Sequence, residues 1–188
     1  MTSAFEYLSV LVSIIVGLAL AHLLSSAARL LQLRRRLRLH ATTLCWMAFL
    51  LLANIQIWWV GFERRDDTEW NFFAFLLYLL MPITGFLLSY LVVPDLDDAD
   101  GIDLQRNFDD NRPWFFALLA ALPAISLAEE TLNSGRFPVD LDALFRVVLV
   151  VMAAIAAVVR NAGFHLACAA LLLAALCTYI LLLFLRLQ

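Results

Sequence analysis

The charged residues of this chain that could do chemistry gather where one apolar segment ends and the next begins. Glu129 and Glu130 lie at the end of the fourth apolar segment, and Arg146 lies near the start of the fifth. Arg146 follows Asp142 by four positions, a spacing at which two helical side chains meet. The spacing predicts an ion pair between Arg146 and Asp142, and either glutamate could be the partner instead. The functional alternative is an acidic outer mouth that concentrates cations.

Two amides and three histidines are the other candidates. Asn54 and Gln56 lie two positions apart, so on a helix they point about 200° apart and cannot share one face. We expect at least one of them to make an interhelical hydrogen bond, and a structural role for both. His22, His40 and His165 all fall near one predicted membrane interface, which would allow a shared metal or proton site. No carboxylate or cysteine completes a ligand spacing, so neither a metal nor another cofactor is predicted. No nucleophile triad or phosphate-binding glycine loop is present, and an enzyme is not expected.

Six long apolar stretches must position these residues. The chain has 188 residues and is 64% hydrophobic, whereas soluble domains are about 45–50% apolar. A bilayer core about 30 Å thick needs about 20 apolar residues in a helix. The sequence therefore predicts an all-α integral membrane bundle in a single domain, with a short interfacial helix over 103–116 leading into the fourth span. The predicted transmembrane helices are 5–28, 41–61, 72–93, 114–132, 143–159 and 163–185.

A cluster of arginines between the first two spans predicts the orientation. Basic residues in short loops stay on the cytoplasmic side, so we expect both termini outside, in the periplasm. The use of arginine without lysine is typical of a GC-rich bacterium, which predicts a multi-pass protein of the bacterial inner membrane. The same arginines are candidates for contact with anionic lipid. They are Arg29, Arg34, Arg35, Arg36 and Arg38.

The first span carries small residues at a strict four-residue spacing. Such a stripe lets two helix backbones approach closely in lipid. The spacing predicts a helix-packing face, and its partner could be a helix of the same chain or of another copy. The face consists of Ser9, Ser13, Gly17, Ala21 and Ser25. Pro82 and Pro123 predict kinks in the third and fourth spans.

Three segments together resemble a family of bacterial six-helix membrane proteins. They are the opening stretch from Phe5 to Gly17, the Trp58-Trp59 pair and the stretch from Asp103 to Phe116. The resemblance covers most of the chain. That family has no known activity, so the resemblance implies a polytopic membrane fold without a function.

Three functions follow as hypotheses. The first is a small homo-oligomeric channel or transporter-like protein, and the second is a non-conducting sensor or scaffold subunit that acts through a separate protein partner. The third is an intramembrane enzyme acting on lipid. Membrane lipid and further copies of the chain are the expected partners, and nucleic acid is not. The candidate pore or polar network comprises Glu129, Glu130, Arg146, Asn54, Gln56 and His22.

Overall fold

The computed structural model describes residues 4–35, 39–63, 72–94 and 103–186, and all the regular structure in these ranges is α-helical. Each of the six helices is long and apolar enough to cross a membrane. The prediction of an all-α protein with six apolar helices is thereby confirmed, and the orientation of the termini stays a prediction. The helices are α1 (Ala4–Leu33), α2 (Ala41–Glu63), α3 (Phe72–Val92), α4 (Leu104–Ser134), α5 (Leu141–Val158) and α6 (Ala162–Arg186).

Helix α4 is longer than the fourth predicted span. The expected interfacial helix and the span form one continuous helix that contains Pro113 and Pro123. It begins at Leu104 because the Asp103 carboxylate accepts hydrogen bonds from the first free backbone N–H groups, those of Gln105 and Arg106. It ends at Gly135, whose left-handed backbone (φ 68°) is a conformation that favours glycine. Helix α4 therefore extends nearly three turns beyond the predicted fourth span on its N-terminal side.

The helices pack around α2 and α4. Helix α1 packs against α2 and α3, α3 also packs against α2 and α4, α5 packs against α4, and α6 packs against α2. The largest fully buried side chains, Trp46, Leu50, Phe115 and Phe116, lie where α2 and α4 face each other. A second, smaller core joins α1 to α3. Helices α5 and α6 therefore pack against different helices of the central pair.

Candidate functional site

The acidic end of the bundle consists of Glu129, Glu130, Asp140, Asp142 and Arg146. The Arg146 guanidinium donates to Glu130 through Nη1 at 2.6 Å and to Asp142 through Nη2. Arg146 therefore forms ion pairs with both Glu130 and Asp142, which the sequence analysis named as possible partners. The pair with Glu130 joins α5 to α4. Glu129, next to Glu130 on α4, is 8% exposed and therefore buried. Asp140 caps α5, since its Oδ1 accepts from the Ala143 N–H at 2.7 Å.

Asn54 joins α2 to α3 and is fully buried. Its Nδ2 donates to the Leu50 carbonyl at 2.8 Å and to Ser89 Oγ at 3.3 Å. The helices approach closely here, because a Cβ atom added to Gly85 would lie 2.7 Å from Asn54 Oδ1. Gln56 is half-buried, and it does not share a hydrogen bond with Asn54. Asn54 therefore links α2 to α3, whereas Gln56 takes no part in this link.

The histidines do not come together as a group of three. His22 stacks on Tyr90 of α3, with ring centroids 3.8 Å apart and planes inclined by 14°. His40 and His165 instead both contact Phe108, at centroid distances of 5.9 and 5.4 Å. Among the described residues, no group of three or more histidines, cysteines and carboxylates is placed to hold a metal ion.

The histidine end of the bundle consists of His40, Phe108, Arg112, Phe116 and His165. His165 is buried and stacks on Phe116, with ring centroids 5.3 Å apart. Its Nε2 lies 2.8 Å from the Val159 carbonyl oxygen. A carbonyl only accepts hydrogen bonds, so Nε2 is the donor in this contact. His165 Nδ1 is buried and has no partner among the described residues.

Arg112 of α4 contacts the C-terminal end of α5. Its side chain is only 6% exposed although it is charged. Its Nε donates to the Ala157 carbonyl at 3.3 Å, and its Nη1 lies 3.9 Å from Asp109 Oδ1. The last carbonyls of a helix have no partner inside the helix, and a cation there also favours the helix dipole. Arg112 and His165 therefore supply donors to the carbonyls at the end of α5.

His40 lies just before α2, where its Nδ1 is 3.0 Å from Thr43 Oγ1. Burial lowers the pKa of His40 below its ordinary value, and the negative charges of Asp109 and Asp103 offset part of that effect. The neutral imidazole is therefore favoured in the folded protein. His40 is the one histidine of this end that stands outside the apolar helices.

Trp46 lies beside the histidine end and is 0% exposed. Its ring meets Phe49, Phe115 and Phe116 edge to face at centroid distances of 5.0–5.7 Å. The indole Nε1–H has no acceptor among the described residues. The sequence analysis missed both Trp46 and Arg112. For Trp46 the available signal was a polar N–H group inside an apolar stretch, which is costly in lipid unless it has a partner. Arg112 lies in the charged segment before the fourth span and gave no such signal.

The small-residue face of α1 is directed away from the rest of the chain. Val12, Val16 and Leu23 of α1 are buried against the other helices, whereas the small residues are exposed apart from half-buried Ser9. A Cβ atom added to Gly17 would find nothing within 4 Å in the described structure. One contact reaches the face, since Trp58 Nε1 donates to Ser13 Oγ at 3.1 Å. Within the described residues, Gly17, Ala21 and Ser25 of this face remain exposed.

The arginine segment after α1 is only partly described. Arg29 belongs to α1, and Arg34 and Arg35 follow it, all with exposed side chains. Arg34 Nη1 donates to the Leu31 carbonyl at 2.7 Å and so closes the end of α1. Arg36 and Arg38 lie outside the described residues. Contact with anionic lipid stays a prediction for all of them.

Comparison with known proteins gives no assignment. No protein-family model, curated protein or solved structure matches this chain. The function is therefore inferred from the geometry of the chain itself.

Proposed function

We propose that the protein is a non-conducting membrane subunit that assembles with further copies of itself through α1. The observation that carries this proposal is the exposed small-residue face of α1, with open space at Gly17. In lipid, helices associate where small residues let the backbones approach and gain dispersion contacts. Because its own chain leaves this face exposed, the face can pack closely against the same face of a second copy.

The spacing of the face sets the expected geometry of the contact. On a helix with about 3.6 residues per turn, each four-residue step turns by about 40°, so the stripe runs obliquely to the axis. Oblique stripes of this kind pack in right-handed pairs that cross at roughly −40°. Two copies of α1 would cross near Gly17, the residue with no side chain at the middle of the stripe. A two-fold pair is the simplest closed arrangement for one self-complementary face.

The interior of each protomer favours a non-conducting role. Trp46, Leu50 and Leu88 are 0% exposed and fill the centre between the helices. At the acidic end, Glu130 is paired with Arg146 and is not free to attract cations. A subunit of this kind acts through a separate protein partner, for which the exposed arginines after α1 offer a charged contact surface.

The oligomeric state of variants in detergent tests the assembly. Ala21→Leu places bulk on the small-residue face, and we expect it to convert the oligomer to monomer. Ala170→Leu makes the same change at an exposed alanine of α6 and should leave the oligomer intact. The measurement is mass by light scattering on size-exclusion chromatography. A wild-type monomer, or equal behaviour of the two variants, would contradict assembly through α1.

The channel hypothesis is tested on the same preparation. In liposomes that hold the purified oligomer, a non-conducting subunit gives cation flux no faster than protein-free liposomes. Flux that depends on the oligomer, and is lost in Ala21→Leu, would replace the proposed role with a pore between copies of α1. The serines of the small-residue face would then line that pore.

A further inference from the structure

The buried arginine of α4 keeps hydrogen-bond donors without an acceptor. A guanidinium group has five N–H donors and no acceptor of its own. Arg112 uses Nε on the Ala157 carbonyl, and Asp109 Oδ1 lies 3.9 Å from Nη1, which is beyond hydrogen-bond distance. Within the described residues, neither Nη1 nor Nη2 therefore has an acceptor, yet neither atom is fully enclosed by protein. Both can be reached from the surface, although Arg112 as a whole is only 6% exposed.

A second arginine lies at the same end of α5. Arg160 is exposed and follows Ala157, the residue that accepts from Arg112, by three positions. The backbone between Ala157 and Arg160 is held in place, because His165 Nε2 donates to the Val159 carbonyl at 2.8 Å. Arg160 is thus presented from a fixed backbone position near the buried Arg112. Groups that are held in advance lose less entropy when a ligand binds.

Both arginines fall at the depth of the lipid head groups if the helices cross a bilayer. The apolar part of α4, residues 114–132, is about 28 Å long, which matches a hydrocarbon core about 30 Å thick. Trp114 is 71% exposed and lies at one edge of this part, where aromatic residues gather at membrane interfaces. Arg112 lies two residues before Trp114, and Arg160 lies two residues beyond the end of α5. The accessible guanidinium groups therefore face head groups and not acyl chains.

The charges around Arg112 indicate what kind of head group fits. Arginine binds phosphate oxygens through two parallel N–H groups, and Arg160 adds a second positive charge. Asp109 is half exposed beside Nη1 and would repel a ligand that carried negative charge alone. Asp110 is already paired with Arg106. A matching ligand therefore joins a phosphate to an ammonium group a short distance away.

We propose that Arg112 and Arg160 bind the phosphate of an ethanolamine phosphate ester, and that its ammonium group donates a hydrogen bond to Asp109. Two carbons separate the phosphate and the amine in ethanolamine, a spacing that suits Asp109 Oδ1 and Arg112 Nη1 at 3.9 Å from each other. Phosphatidylethanolamine and soluble phosphoethanolamine both supply this chemistry. The depth of the site favours the lipid, whose acyl chains then lie beyond Trp114 along the exposed side of α4.

Native mass spectrometry of the purified full-length protein tests this binding by counting bound molecules. The probes are phosphatidylethanolamine, phosphatidylcholine and diacylglycerol with the same acyl chains, and soluble phosphoethanolamine. We expect saturable binding of phosphatidylethanolamine and none of diacylglycerol, which lacks the phosphate. The quaternary amine of phosphatidylcholine has no N–H group, so this lipid should bind about tenfold more weakly, the factor of one charged hydrogen bond. Saturable binding by phosphoethanolamine alone would identify the soluble ester as the source.

Two arginine variants locate the phosphate. Arg160→Ala should weaken phosphatidylethanolamine binding at least about tenfold. Arg136→Ala removes the same charge from an exposed position at the opposite end of α4 and should leave binding unchanged. Equal affinity in both variants, or equal binding of phosphatidylethanolamine and diacylglycerol to the wild type, would overturn the site. Because Arg160 is exposed, its replacement is expected to leave the fold intact.

An aspartate variant tests the place of the amine. Asp109→Asn removes the negative charge that faces the ammonium group, so its affinities for phosphatidylethanolamine and phosphatidylcholine should become equal. A preference for phosphatidylethanolamine that survives in Asp109→Asn, or that is absent from the wild type, would overturn the contact between the amine and Asp109. The site lies on α4 and at the end of α5, so these results do not depend on assembly through α1.

Discussion

The acidic end and the histidine end both join α4 to α5 through one arginine, with different partners. At the acidic end, Arg146 of α5 binds the carboxylate of Glu130, and 37% of the Glu130 side chain is exposed. At the histidine end, Arg112 of α4 is 6% exposed and binds a backbone carbonyl of α5. Exposed ion pairs contribute little to stability, whereas removing a buried donor leaves its acceptor unpaired. Arg112 should therefore stabilise the bundle more than Arg146 does.

The largest expected effect is the loss of Arg112. Arg112→Ala leaves the Ala157 carbonyl without its donor and opens a gap beside Phe108, so we expect the free energy of unfolding to fall by about 2–4 kcal/mol. Arg106→Ala is the matched control, because Arg106 is 81% exposed and pairs with exposed Asp110. That control should change stability by less than about 0.5 kcal/mol. Thermal unfolding in detergent measures both, and equal effects would remove the distinction between the two ends.

A smaller effect is expected at the acidic end. Glu130→Gln keeps the shape of the side chain and removes its charge, and we expect a loss of roughly 0.5–1 kcal/mol. Because the pair is partly exposed, salt should screen it, so the difference from wild type should shrink at high ionic strength. The unfolding temperature at low and high salt gives this comparison. A loss as large as that of Arg112→Ala, unchanged by salt, would show that the pair is buried.

The smallest effect is the pH dependence that His40 contributes. The pKa of His40 is lowered in the folded protein, so the unfolded chain binds the proton more strongly. This part of the stability is present at pH values above the unfolded pKa of about 6.5 and is lost as the pH falls through the folded pKa. The free energies of unfolding of wild type and His40→Gln should diverge below a pH of about 6.5, with wild type losing more stability. Parallel pH profiles would contradict it.

The sequence predicted the helices well because span length and hydropathy are local properties. The sequence predicted a separate interfacial helix over 103–116 and missed that it is continuous with the fourth span, because the charged first turns of α4 fall outside an apolar window. The contact of Arg112 with Ala157 was also missed, since the two residues are 45 positions apart and no local spacing encodes them. The pair of Arg146 and Asp142 could be predicted because it lies within one helix.

The direction of the small-residue face was the point that the sequence left open. The four-residue spacing indicates close packing but does not say against what. Burial favours contact with another copy: α1 uses Val12, Val16 and Leu23 for its own chain and leaves Gly17 uncovered by the described residues. Trp46 shows the same limitation, because its position in the second span did not reveal that it would lie between four helices beside a cavity.

Cysteine cross-linking in membranes tests assembly through α1 most directly. Cys45, Cys168 and Cys177 are replaced by alanine, and a single cysteine is introduced as Gly17→Cys or, for comparison, as Ala170→Cys. A disulfide requires Cα atoms within about 7 Å of each other. We predict that mild oxidation converts the Gly17→Cys protein to a covalent dimer and leaves the Ala170→Cys protein monomeric on denaturing gels. Absence of the dimer at position 17, or equal dimer at both positions, would contradict the account.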